Sequence, residues 1–326
     1  MANIEFGARV VIIFRTIAFL GALLAGSVQA QDWPSKPIRW IVPFAPGGPA
    51  DVVTRIVAAG LAERVGQPNI VENQPGAGGN IGHANAAKAA ADGYTLVFVV
   101  PSVVTNPFYM KAAIDPFRHL APVIHLDNAS MVMLAHPSFA PATVADVLTE
   151  IKAHPGQVTC GASGALPSVA CELLRAHAGA EMLMVMYKGN APALNALMAG
   201  EINLLFDVVN IAVGHVKSGR VRAIATTAPR RGIGPLGELP VVAETIPGFD
   251  LVTWHGVMMP PSTPPALIER VNRELNAVLA RADVRERFAN SGLQITGATP
   301  ADFAAVLRRD YDKYGAALRA AGVTPE

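Results

Sequence analysis

From residue 38 onward, short runs of β-branched and apolar residues alternate with Ala-rich stretches of helical period, and Gly or Pro stands at the joints. That alternation marks βαβ units, whose crossover helices place strands in parallel and cover both faces of the sheet. Two sets can be traced. The first predicts strands over 38–44, 70–72 and 95–99, with helices over about 51–65 and 80–91. The second predicts strands over 158–161, 183–187, 202–206 and 221–227, with helices beginning near Thr143, Ser168, Ala191 and Val209. Beyond Pro265 the pattern is helical: Leu267, Ile268, Val271, Leu275, Val278 and Leu279 share one face, and a last helix spans about 301–320. No tandem repeat or long linker divides the sets, so two lobes joined by short crossovers are expected, with a cleft between them.

Charge and composition remove whole classes of partner. The 326 residues carry 26 Lys plus Arg against 25 Asp plus Glu, without a basic run, so nucleic acid is not an expected partner. With 51% hydrophobic residues and 2 Cys, disorder and disulfide scaffolds are excluded as well. The first thirty residues read as a secretory signal: Arg9 and Arg15, an apolar stretch over 16–26, then Ser27-Val28-Gln29-Ala30, with cleavage expected after about Ala30. An uncleaved anchor is the rival reading, but Arg15 interrupts the apolar run. In an oxidising compartment Cys160 and Cys171 could bond, yet their apolar flanks favour two buried thiols.

Three Gly-rich strand-to-helix turns could carry chemistry. In Val42-Pro43-Phe44-Ala45-Pro46-Gly47-Gly48-Pro49-Ala50-Asp51, main-chain N–H groups and a helix N-terminus suit an anion, and Asp51 reads also as a helix N-cap. Residues 73–82 tempt a dinucleotide reading, but Gly76, Gly78 and Gly82 miss the G-x-G-x-x-G spacing, which leaves a structural turn at the cleft rim. The turn Cys160-Gly161-Ala162-Ser163-Gly164-Ala165 half-resembles a nucleophile elbow; no Asp and His are placed to complete a triad, so a secreted serine hydrolase using Ser163 is a minor alternative. The eight His residues show no ligand spacing, so neither metal nor cofactor is expected.

Several ordered segments carry a resemblance. Trp33-Pro34-Ser35-Lys36-Pro37-Ile38, Ile41 to Gly48 with Asp51, Val71 to Gly79, Asp92-Gly93-Tyr94-Thr95-Leu96, Tyr187-Lys188-Gly189, Ala199-Gly200-Glu201-Ile202 and Trp254-His255-Gly256 together resemble the tripartite tricarboxylate transporter substrate-binding receptors, the Bug or TctC family. The resemblance implies a type II periplasmic binding protein, not an enzyme: an α/β fold of two lobes, each a mainly parallel sheet flanked by helices. It implies a small organic carboxylate held in the cleft and passed to transporter membrane subunits, or reported to a sensor by an orphan signalling receptor. Lobes over 31–130 with 252–326 and over 131–251 are expected, in a periplasmic monomer. By motif position Ala45, Pro46, Gly47, Gly48 and Asp51 would line one side of the ligand and Ser163, Tyr187 and Asp207 the other. An Asp there cannot balance an anion, so Asp207 would orient water, accept from a ligand hydroxyl or amine, or serve structure alone. Leu166, Pro167 and Ala170 stand where the family carries a more polar loop, which suggests an aromatic or branched acid.

Overall fold

Burial decides which segments become strands. In the computed structural model, which describes residues 33–187, 189–232, 234–249, 251–320 and 323–325, β1 (Ile38–Val42) leads to α1 (Pro49–Val65), β2 (Asn69–Asn73) to α2 (Asn80–Ala87), and β3 (Thr95–Val99) to α3 (Ser102–Tyr109) and the single turn α4 (Pro116–His119). β3 is buried at all five positions, as a strand covered on both faces must be. α1 opens with Pro49, at a position where no N–H is needed, and stops where Gly66 turns to φ +68°. The compact body of the fold begins at Pro37. The expected signal segment and its cleavage at Ala30 lie outside the described residues, as does Lys188.

The chain then enters β4 (Ala121–Ala135), fifteen residues long, and a second set follows: α5 (Val144–Ala153), β5 (Thr159–Ala162), α6 (Ala165–Ala178), β6 (Leu183–Met186), α7 (Asn190–Ala199), β7 (Leu204–Val208), α8 (Val209–Lys217) and β8 (Arg222–Thr226). α5 is started by a reciprocal capping box between Thr143 and Asp146. The chain returns through β9 (Val252–Met259), α9 (Pro265–Leu279), α10 (Ala282–Asn290), β10 (Leu293–Ile295) and α11 (Pro300–Ala320). α9 buries Val271, Leu275, Val278 and Leu279, and its buried Asn272 donates to the carbonyls of Val123 and Ala298 at 2.8 Å each.

The strand order is β2-β1-β3-β9-β4-β7-β5-β6, with β10 and β8 also on β4. The outer strands pair in parallel, β1 with β2 and β3, β5 with β6 and β7. Every pairing of β4 is antiparallel, so the mainly parallel sheets expected from the alternation become mixed at the centre. β4 belongs to both halves: Ala121 to Ser130 pair with β9, whereas Met131 to Ala135 pair with β7. Two lobes therefore share one strand, and partners change between Ser130 and Met131. Thr227 fastens that point, because its hydroxyl accepts from the Met131 N–H at 2.9 Å and donates to the Leu251 carbonyl at 2.6 Å. Neither β4 nor β9 follows the alternation read from the sequence.

The free thiols expected at Cys160 and Cys171 are corrected: the two residues form a disulfide. Packing of α6 on β5 brings their Cα atoms to 6.1 Å, within the span that a disulfide bridges. The bond braces the β5–α6 turn.

Candidate ligand cleft

In open α/β sheets, ligands bind beyond the carboxyl ends of the parallel strands. The turn after β1 is one such end. There Asp51 is buried and stands third in α1, while Gly48 occupies the cap, so the N-cap reading of Asp51 is corrected. Its carboxylate accepts from the Gly47 N–H at 2.9 Å, from Arg55 Nε at 3.0 Å and from Asn73 Nδ2 at 3.0 Å. Burial pushes that carboxyl upward, but Arg55, the Gly47 amide and Asn73 outweigh it and hold it below the usual range. Asp51 thus serves to pin Gly47 at φ +79°. The turn offers fewer donors than its glycines suggest: the Gly47 N–H is given to Asp51, and Pro46 and Pro49 have none. Ala45, Pro46 and Gly47 are exposed and Gly48 is half-buried.

The Gly-rich turn after β2 packs directly on the end of β1. A Cβ on Gly82 would lie 2.8 Å from Pro43 Cβ, which only Gly permits. Asn106 of α3 donates to the Gly78 carbonyl at 3.1 Å, which ties the same turn to the end of β3.

A cavity of about 190 Å³ lies where the ends of β3, β5 and β7 approach the strand crossing, and it is lined from both halves. Val100, Pro101 and Ser102 come from the first set; Ser163, Leu166, Pro167, Asn190, Asp207 and Val208 come from the second; Met131 and Thr253 come from β4 and β9. Drug-sized sites run to about 300–1,000 Å³, so this one suits a small solute. It brings together Ser163 and Asp207 of the residues expected from the sequence. Ala45 to Gly48 and Asp51 lie outside its lining, and so does Tyr187, whose ring packs beside Gly161 and the buried cluster of Val132, Leu194 and Leu205.

Asp207 is 1% exposed. Its Oδ1 accepts from the Asn190 side chain and from the Val208 N–H at 2.7 Å, while Oδ2 is buried with no partner among the described residues. Burial pushes its carboxyl up to about 6, against the opposing pull of Asn190 and the Val208 amide. Asn190, Ser102 and Thr253 were missed by sequence reasoning. Asn190 alone left a signal, a polar residue at a Gly-led strand-to-helix joint. A larger hollow of about 490 Å³, lined by Tyr109, Leu173, Met184, Met186, Leu318 and others, holds few polar groups, and its Glu172 and Arg175 are already paired at 2.9 Å. Among the described residues no group of three or more His, Cys, Asp or Glu could hold a metal, and no helix is long and apolar enough to cross a membrane.

Comparison with known proteins places this architecture. The family described as "Tripartite tricarboxylate transporter family receptor" matches residues 53–323. BugT of Bordetella pertussis is 32% identical over 322 residues, covering 94% of this chain and 98% of its own. A protein encoded in the tcbD-tcbE intergenic region of Pseudomonas sp. strain P51 is also 32% identical, over 90% of this chain and 89% of its own. Among solved structures, the R. palustris protein Rpa4515 with adipate superposes with a TM-score of 0.82 at 29% identity, covering 90% of this chain and 100% of that one. A structure described as a periplasmic transporter superposes at 0.80 with 31% identity, over 90% of this chain and 99% of that one. Two lobes sharing a central strand, a cleft at their strand ends and these likenesses agree: the chain belongs to the tripartite tricarboxylate transporter receptors, a family of solute-binding proteins rather than enzymes.

Proposed function

We propose that the protein is a periplasmic receptor that closes two lobes, residues 31–130 with 252–326 and residues 131–251, on a small organic carboxylate and delivers it to a tripartite tricarboxylate-type transporter. The supporting observation is the 190 Å³ cavity lined from both halves at the strand crossing. Closure swings the lobes about the Ser130–Met131 partner change, a population shift driven by tighter binding to the closed form. The exposed turn of Ala45, Pro46, Gly47 and Gly48, anchored by Asp51, then meets the carboxylate opposite Ser163, with Tyr187 at the edge. Relatives lend the ligand class: one similar R. palustris protein was solved with adipate and another, MatC, with malate. Leu166, Pro167, Met131 and Val100 give the cavity apolar walls, which favour an aromatic or branched acid. The receptor is exported by a signal cleaved after about Ala30 and acts as a monomer.

Thermal unfolding against a panel of mono-, di- and tricarboxylates, aliphatic and aromatic, tests this reading. A true ligand at about 100 times its dissociation constant adds about 2.7 kcal/mol of stability. Stabilisation by an acid and not by its methyl ester is expected. Equal stabilisation by acid and ester, or none by any acid, refutes it.

A further inference from the structure

Resting on the carboxylate reading above, we infer that Asp207 sets the specificity of the cleft by selecting acids whose other polar end is an N–H donor, an ammonium or a primary amide, over acids that end in a second carboxylate. The cavity wall is unequal in what it offers. Its apolar members are Val100, Pro101, Met131, Leu166, Pro167 and Val208; Ser102, Ser163, Asn190 and Thr253 are neutral; Asp207 is the ionisable side chain among them. Among the described residues no Lys, Arg or His lines it. Two buried polar atoms of this wall lack partners among the described residues: Asp207 Oδ2, from the second half, and Ser102 Oγ, from the first.

The two atoms ask for different chemistry. An ionised Asp207 oxygen accepts and never donates, whereas the Ser102 hydroxyl can donate to a carboxylate. Burying a carboxylate oxygen without a donor is costly, and a ligand that supplies the donor recovers that cost on binding. A second ligand carboxylate in the same place would instead meet a like charge, with no cation among the described residues of the wall to offset it. With burial raising the carboxyl to about 6, Asp207 is still mainly ionised at pH 7.5. Nothing charged contributes to that shift, which comes from burial against the donors Asn190 and Val208. A solute with a carboxylate toward Ser102 and an N–H group toward Asp207 satisfies both orphans at once.

The test is calorimetric titration of the wild-type protein at pH 7.5 with series matched in length: adipate, adipamate and 6-aminohexanoate; succinate, succinamate and 4-aminobutyrate; terephthalate, terephthalamate and 4-(aminomethyl)benzoate. Hexanamide and hexylamine, which lack the carboxylate, complete the set. A hydrogen bond to a charged acceptor is expected to favour the amide or amino member over the dicarboxylate by at least about tenfold in the series that fits. Asp207→Asn keeps an oxygen for Asn190 and Val208 while removing the charge, and it should shrink that ratio below about threefold. Dicarboxylates that bind wild type as tightly as their partners overturn the inference without any variant; so does a preference that survives Asp207→Asn. If hexanamide and hexylamine bind as tightly as the amide and amino acids, the carboxylate reading fails while the role of Asp207 stands. Silence from every compound overturns both.

Discussion

Breaking the Cys160–Cys171 bond should weaken the second half of the molecule, and the expected size follows from its place in the chain. The bonded residues are 11 apart. Opening a loop of that length returns chain entropy to the unfolded state worth about 3 kcal/mol at 25 °C. Replacing both by Ala also strips two buried sulfurs from the core, adding about 1 kcal/mol. With a urea slope of about 3 kcal/mol/M, reduction should lower the unfolding midpoint by about 1 M, and the double variant should lie slightly below the reduced wild type. Circular dichroism follows both halves, whereas fluorescence from buried Trp40 on β1 and Trp254 on β9 reports the first half. Unfolding is therefore followed by both signals with and without dithiothreitol, for wild type and for Cys160→Ala/Cys171→Ala. The dichroism transition of the wild type should move on reduction and that of the variant should not. Oxidised and reduced wild-type curves that coincide within 0.2 M, on the order of the error in such fits, would refute the reasoning. So would two free thiols in the denatured, unreduced protein.

Two further substitutions probe the first half. His83 is fully buried, with both ring nitrogens unpartnered among the described residues, and burial lowers its imidazole to about 4. The unfolded chain takes up that proton from pH 6.5 downward while the native state resists, so wild-type stability should drop by about 3 kcal/mol between pH 6.5 and 4 on this account. His83→Leu should remove that part of the slope in urea midpoints measured at pH 4.5 and 7; an unchanged slope would show that other groups carry it. At Gly256 a Cβ would lie 2.2 Å from the ring of Phe303. Gly256→Ala should cost about 1–3 kcal/mol by overpacking, and adding Phe303→Leu should restore part of it; a double variant no better than the single would argue against the clash.

The outer strands were legible because they are short, apolar and closed by Gly or Pro. β3 matches the expected 95–99, and β1, β2, β5 and β6 differ from expectation by a residue or two at their ends. β4 was not legible. Pro122, His125, Asp127, Asn128 and Ser130 break both periodicities, and the fully buried Asp127 is matched from a distance: it accepts from His255 Nδ1 at 2.9 Å across β9. Short-range pattern cannot register a partner 128 residues away. The same limit explains the cysteines, since spacing does not reveal that α6 folds back on β5. At the cleft, Asp207 and Ser163 could be named from motif position, but the buried, unmatched oxygen of Asp207 exists only once Asn190 and Val208 have taken its other side.

The shared strand also fixes an order of events during synthesis. The chain emerges from its N-terminus, so β4 is complete long before β9, its longest partner, has been made. Until then the first half of β4 and the facing edge of β3 present unpaired N–H and C=O groups beside apolar side chains, an invitation to wrong pairing. Pairings of such sequence separation form slowly in any case. A chain cut between Ala135 and Met259 should therefore be a persistent client of holding chaperones, and a chain bound for export must be kept from wrong pairing until Met259 has followed Ala135 across the membrane.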